Sequence, residues 1–247
     1  MNKNWIRSQT DEAIQYLQSN DIEWENRTNT SNRKNSLFSG KLSADFKKNK
    51  NTTFNYNLQV AGTNNTTLRK ISSQNNTTTN LLSTQHEVDN FGISQLFESH
   101  KTFNKKHKAS FAVAHSYNKE TPDYNWFSNE AFLETYIPWQ TEDLFKLNGI
   151  QNTQQHKIQI NAKHYWIAAK KHHFYTTLGY NGSYTNLHTN NYFNQNSSME
   201  SLEDAGFGND LRYRLHDPFV GLEHKFLYKK FTSTIGLFLH SYQLHNT

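Results

Sequence analysis

Histidine is the side chain in this sequence best suited to hold a metal or move a proton, and there are 13 of them. His172 and His173 are adjacent within a lysine-rich turn, where like-charge crowding and solvation make a poor ligand pair. His115, His164 and His224 fall singly inside alternating runs. No spacing with carboxylates resembles a zinc site, so no metal ligand is expected. Glu200, Glu203 and Asp204 lie near Asp210, with Gly206 and Gly208 between them. They lack the ordered acidic spacing of a calcium loop and read as solvated rim charge. There is no Gly-x-Ser-x-Gly and no His-Glu-x-x-His, so no hydrolase motif is present. The chain has no cysteine, which removes disulfides, thiolate metal sites and thiol nucleophiles. The expectation is therefore no enzyme, no catalytic residue and no cofactor. The remaining candidates are rings in a long connection, Tyr124, Trp126 and Trp139, with Phe127 beside them. These could contact a ligand at an outer rim, pack the loop, or sit at a membrane interface.

Such residues need elements to hold them, and the elements follow from periodicity. The chain has 247 residues, a hydrophobic fraction of only 34% and a mean hydropathy of −0.92. Polarity of this kind usually means disorder, but disordered chains lack rings, and here aromatics reach 14%. A chain that buries one face and wets the other satisfies both numbers. No apolar run is long enough for a transmembrane helix, and a β-barrel would show none. The N-terminal Met1 to Ser8 has no apolar h-region and does not read as a secretory signal. The formal charge of +5 does not point to nucleic acid, because lysines gather at turns and no groove-reading module is visible.

Four basic turns punctuate the chain, at Lys47 to Lys50, Asn104 to His107, Lys170 to His173 and Tyr228 to Lys230. Each is flanked by two runs of period two, the mark of half-buried strands. Phe38, Gly40, Leu42, Ala44 and Phe46 share one face, and across the first turn Phe54, Tyr56, Leu58 and Val60 share another. Phe91, Ile93 and Phe97 precede the second turn, and Phe111, Val113, His115 and Tyr117 follow it. Ile158, Ile160, His164 and Trp166 return as Phe174, Leu178, Tyr180 and Tyr184. Leu222, His224, Phe226 and Tyr228 return as Phe231, Ile235, Leu237 and Leu239. About eight strands in four hairpins result. Between them lie polar stretches at 63–88, 118–153 and 187–210, expected as long loops. Residues 1–35 are expected as a polar loop region with a short helix over 11–18, where Ala13, Ile14, Tyr16 and Leu17 have near-helical spacing. Residues 36–247 form the β segment.

Short turns at one end and long polar loops at the other fit an all-β, antiparallel up-and-down transmembrane β-barrel, complete or partial. The lipid-facing set is then Phe38, Leu42, Phe46, Phe54, Tyr56, Leu58, Val60, Phe111, Val113, Ile158, Ile160, Trp166, Phe174, Leu178, Tyr180, Leu222, Phe226, Ile235 and Leu237. Two alternatives stay open. A self-contained eight-stranded barrel would require the strand at 37–47 to pair with that at 231–243, and would enclose Lys41, Asp45, Lys163, Glu223 and Lys225. A soluble all-β binding module would bury its apolar faces against each other.

The segments Phe38-Ser-Gly-Lys-Leu-Ser-Ala-Asp-Phe46, Asn104-Lys-Lys-His-Lys-Ala-Ser-Phe111 and Asp217-Pro-Phe-Val-Gly-Leu-Glu-His-Lys-Phe226 resemble the barrel of TonB-dependent receptors of Bacteroidetes, over about residues 36–245. The resemblance implies a bacterial outer-membrane barrel of about 22 strands enclosing a plug, which imports nutrients. It further implies outer-membrane lipid, remaining barrel strands, a plug domain and an energy-coupling complex as partners. The plug, the TonB-box segment and an aromatic C-terminal residue are not in this sequence, so the chain reads as a fragment of such a barrel.

Overall fold

The computed structural model describes residues 2–17, 22–75, 78–140, 144–195 and 198–247. It is all-β and antiparallel, with strands meandering up and down through a single sheet. The strands are β1 (Asn2–Leu17), β2 (Ile22–Asn49), β3 (Thr52–Gln74), β4 (Thr79–Thr102), β5 (His107–Ser128), β6 (Phe145–Ala169), β7 (His172–Gln195), β8 (Ser198–Ser201), β9 (Asn209–Tyr228), β10 (Phe231–His240) and β11 (Gln243–Asn246). Each long strand pairs with its neighbours in chain order, while short β8 adds to β7 and short β11 extends the β10 side of β9. The four expected hairpins are β2–β3, β4–β5, β6–β7 and β9–β10.

Three expectations need correction. First, Asp11–Leu17 is strand, not helix; Gln18 lies outside the described residues. β1 pairs with β2 from Asn2↔Leu37 to Leu17↔Ile22, so cross-strand hydrogen bonds outweigh a weak local helical spacing. The sheet thus begins at Asn2, and residues 1–35 are not a loop region apart from it. Second, most of the polar stretches at 63–88, 118–153 and 187–210 continue the strands. β3 runs to Gln74 and β4 starts at Thr79, so only a short connection separates them. Their Asn, Thr and Ser residues lie on both faces, so no apolar alternation marks them. Third, the three prolines read from sequence as lying in loops or at a strand entry, where a missing N–H is tolerated, yet Pro122 and Pro218 lie inside strands. The β5–β6 ladder skips residues 121–122, and the strand beside β9 breaks between β10 and β11 opposite Pro218. Both gaps sit where a proline cannot donate to the ladder.

The four basic turns share one end, and the other end holds loop residues 129–140 and the segment 198–208, which carries β8. β2 has 28 residues, roughly three times the 9–11 that cross a bilayer as a tilted strand. The surplus projects from the loop end. Among the described residues β1 and β10 are the two edges and do not pair with each other, and β2 has no partner on its β1 side from Phe38 to Asn49. The first-to-last pairing that an eight-stranded closed barrel needs is missing. Among the described residues there is no sandwich core either: the buried apolar ones are Ile137, Phe145, Phe193 and Leu202, all at the loop end.

Two cross-strand glycines each lie beneath an opposed aromatic ring. The Phe219 ring lies over Gly179, its directly opposed partner, and Phe238 lies over Gly221 in the same way. A Cβ at Gly179 would fall 2.0 Å from Phe219 Cζ, whereas one at Gly40 would meet nothing within 4 Å. Gly179→Ala is therefore expected to lower stability by about 1–3 kcal/mol in a denaturant titration, with Gly40→Ala close to neutral.

Candidate membrane interface

Directly opposed residues of an antiparallel pair share a face, so the registers decide which side chains gather. Phe46 faces Phe54, which faces Ser99, which faces Phe111; Phe111 faces Ala162, then Leu178, Val220 and Leu239 in turn. Following these registers puts every residue of the expected lipid-facing set on one face of the sheet. The same registers add Phe91, Ile93, Phe97, Val220, Phe231 and Leu239, which complete the face. Phe91, Ile93 and Phe97 sit on β4, which alternates less cleanly, while Val220, Phe231 and Leu239 continue the alternating runs of β9 and β10.

Two rows of rings bound this face. At the turn end, Phe46 and Phe54 are 6.1 Å apart, Phe54 and Phe97 6.3 Å, Trp166 and Phe174 5.6 Å, and Phe174 and His224 4.7 Å. Toward the loop end, Phe91 and Tyr117 are 6.5 Å apart, Tyr117 and His156 4.7 Å, and His156 and Tyr184 6.4 Å. The Arg214 guanidinium closes that row 5.2 Å from the Tyr184 ring. Phe38 and Phe46 mark the two rows on β2, and His156 and Trp166 mark them on β6. With a strand rise of about 3.3 Å, the 8 to 10 residues between the rows would span roughly 19–23 Å across the band at the tilt of about 45° that a membrane barrel's strands take.

Between the rows this face carries no Asp, Glu, Lys or Arg, on any of the strands β2 to β10. The opposite face over the same span carries Lys41, Asp45, Glu98, Lys157, Lys163, Asp217, Glu223 and Lys225. Just past the loop-end row the charges return, with Asp89 and Glu87 both accepting from Asn64 Nδ2, at 2.7 and 3.2 Å. The apolar band is uncovered by protein: Leu42 is 60% exposed, Leu237 66% and Ile235 73%.

Most polar side chains on the apolar face find partners on it. The Tyr56 hydroxyl donates to Gln95 Oε1 at 3.1 Å, and the Tyr180 hydroxyl meets His216 Nδ1 at 2.7 Å. The histidines that seemed solitary in sequence are paired across strands: His164 with His107 at 3.2 Å, His115 with His156 at 3.4 Å and His224 with His172 at 3.0 Å. The adjacent pair in the turn diverges, for His173 points to the polar face and meets the Tyr165 hydroxyl. Among the described residues no three His, Asp or Glu side chains converge on one point. Glu203 accepts from Asn190 at 3.3 Å, and Asp210 lies 3.9 Å from Arg212 on the surface.

The three rim rings separate. Trp139 packs against Phe132, Phe145 and Phe193, and its indole N–H donates to the Phe132 carbonyl, so it holds loop residues 129–140 down. Tyr124 stacks on His86 at 4.3 Å and Trp126 leans on Phe132 at 5.9 Å. Both remain more than a third exposed on the polar face.

No protein-family model matches the sequence, and no curated protein matches it. Among solved structures, the ferric preacinetobactin receptor BauA of Acinetobacter baumannii is similar over 98% of this chain, at 11% identity and a TM-score of 0.35. This chain spans 42% of that receptor's length. The transport unit of the Escherichia coli autotransporter AIDA-I is similar over 96% of this chain and 84% of its own, at 8% identity and a TM-score of 0.22.

The two faces predict opposite tolerances. Ile160→Arg, mid-band on the apolar face, is expected to cost about 2–4 kcal/mol in a folded bilayer preparation, and Asn161→Arg on the other face close to nothing. Tyr228→Arg, at the turn-end border, falls between them at about 0–1 kcal/mol.

Proposed function

We propose that this chain forms part of the wall of a bacterial outer-membrane β-barrel, with its ring-bounded face against lipid tails. One observation carries the reading: a face free of formal charge, bounded by two rows of rings at bilayer spacing and covered by no protein element. Exposing this much contiguous apolar surface to water is unfavourable, at about 25 cal/mol per Å². Lipid removes that cost. The cross-strand pairing of Gln95 and the histidines supports the same reading, because a polar group in hydrocarbon needs a partner within the protein.

The open edges support a larger barrel. In hydrocarbon the free edges of β10 and lower β2 need further strands to satisfy their backbone groups. A barrel of the TonB-dependent receptor type, with its remaining strands, plug and energy-coupling partner, would supply them and would make nutrient uptake the activity of the whole. In that setting the charged face lines the lumen. The role of this segment is to span and enclose, with no catalysis assigned to it.

Folding the purified chain into detergent tests the reading. An unheated sample that migrates differently from a boiled one, and partitions into the detergent phase, is the expected result; a chain that stays soluble without detergent contradicts it. A finer check uses Tyr56 and Gln95. In lipid, Tyr56→Phe strands the Gln95 amide and is expected to cost about 1–3 kcal/mol, while Tyr56→Phe with Gln95→Leu recovers most of the loss. On a hydrated surface the single change would register little.

A further inference from the structure

We infer that the turn end of the sheet is a docking belt for anionic phospholipid headgroups. The inference rests on the membrane-wall reading above and adds a partner to it. The four turns and their flanks, residues 47–53, 99–109, 167–173 and 227–232, hold eleven lysines and no aspartate or glutamate. The whole chain has 26 Lys and Arg against 21 Asp and Glu. Outside these turns, therefore, 15 basic residues face all 21 acidic ones, and the chain's excess of positive charge comes from the turn end.

Geometry places part of that charge at the lipid border. The Lys171 ammonium lies 4.5 Å from the centre of the Tyr228 ring, Lys229 lies 5.6 Å from the same ring, and Lys101 lies 4.9 Å from Phe103. These rings adjoin the row that ends the apolar band. A cation held over an interfacial ring has its stem along apolar surface and its head at the depth of lipid phosphates. Salt bridges within the protein do not consume these charges, for among the described residues the ion pairs found are Arg27 with Glu25, Arg212 with Asp210 and His240 with Asp217. Lysines ringing one end of a lipid-embedded wall complement an anionic leaflet, each adding attraction that fades within a Debye length.

The test uses the full chain folded in detergent and equilibrated with an equimolar mixture of phosphatidylglycerol and phosphatidylcholine. Lipid that stays bound after purification is extracted and quantified. The wild type is expected to retain phosphatidylglycerol over phosphatidylcholine by roughly tenfold, and the triple variant Lys101→Gln, Lys171→Gln, Lys229→Gln to lose at least about fivefold of that preference with its gel mobility intact. Lys157→Gln with Lys163→Gln, on the polar face, is expected to leave the preference unchanged. Equal retention of the two lipids by a chain that does fold in detergent overturns this inference alone. So does an unchanged preference in the triple variant. Displacement by inorganic phosphate beyond that caused by sodium chloride of equal ionic strength would identify a phosphate site instead, and overturns it as well. A chain that never partitions into detergent overturns both this inference and the reading beneath it.

Discussion

A β-sheet leaves a strand's side chains on two sides and its backbone groups at two edges, and every other feature here follows from how those are satisfied. The ladder pairs the backbone between β1 and β11. One side is greasy and the other charged over the same span. Water can accommodate the charged side. Among the described residues the greasy side has no second sheet and no helix against it, so its complement must come from outside this sheet. The ring rows fix the height of that complement, roughly 19–23 Å at a barrel-like tilt.

The polar atoms on the greasy side show the same constraint at smaller scale. Gln95, His115, His164, His216 and His224 would each be costly in hydrocarbon if solitary. Each meets a partner on a neighbouring strand, several of them offset diagonally by one pleat. Diagonal neighbours lie within reach of long and aromatic side chains, and the registers bring them together. At the loop end the arrangement differs. There both sides are polar, the strands run on past the band, and a small core of Ile137, Phe193 and Leu202 with Trp139 ties the long loop to the sheet.

Period two was legible wherever one side is apolar, as in 38–46, 54–60 and 158–166, and there the strands, and which residues share a side, match the reading of residues alone. It faded where both sides turn polar. Asn and Thr runs such as 63–74 look like loop, yet they complete a ladder whose other strand supplies the hydrogen bonds. The helical spacing of Ala13, Ile14, Tyr16 and Leu17 is a local signal that long-range pairing overrides. The histidine pairs were invisible for a different reason: their partners lie 41 to 57 residues apart, and only the register reveals them. Trp139 shows the limit of residue type as evidence, since a tryptophan in a loop can seal the loop as readily as meet a ligand.

The central claim is that even-numbered positions of 54–62 face hydrocarbon and odd-numbered ones face water. The chain has no cysteine, so single nitroxide labels can be placed at Tyr56, Asn57, Leu58, Gln59 and Val60 without background. In folded, bilayer-embedded protein, collision with oxygen should be high at 56, 58 and 60, and collision with a water-soluble nickel chelate high at 57 and 59. Equal accessibility to the chelate at all five positions, or protection of 56, 58 and 60 from both reagents, would contradict the account.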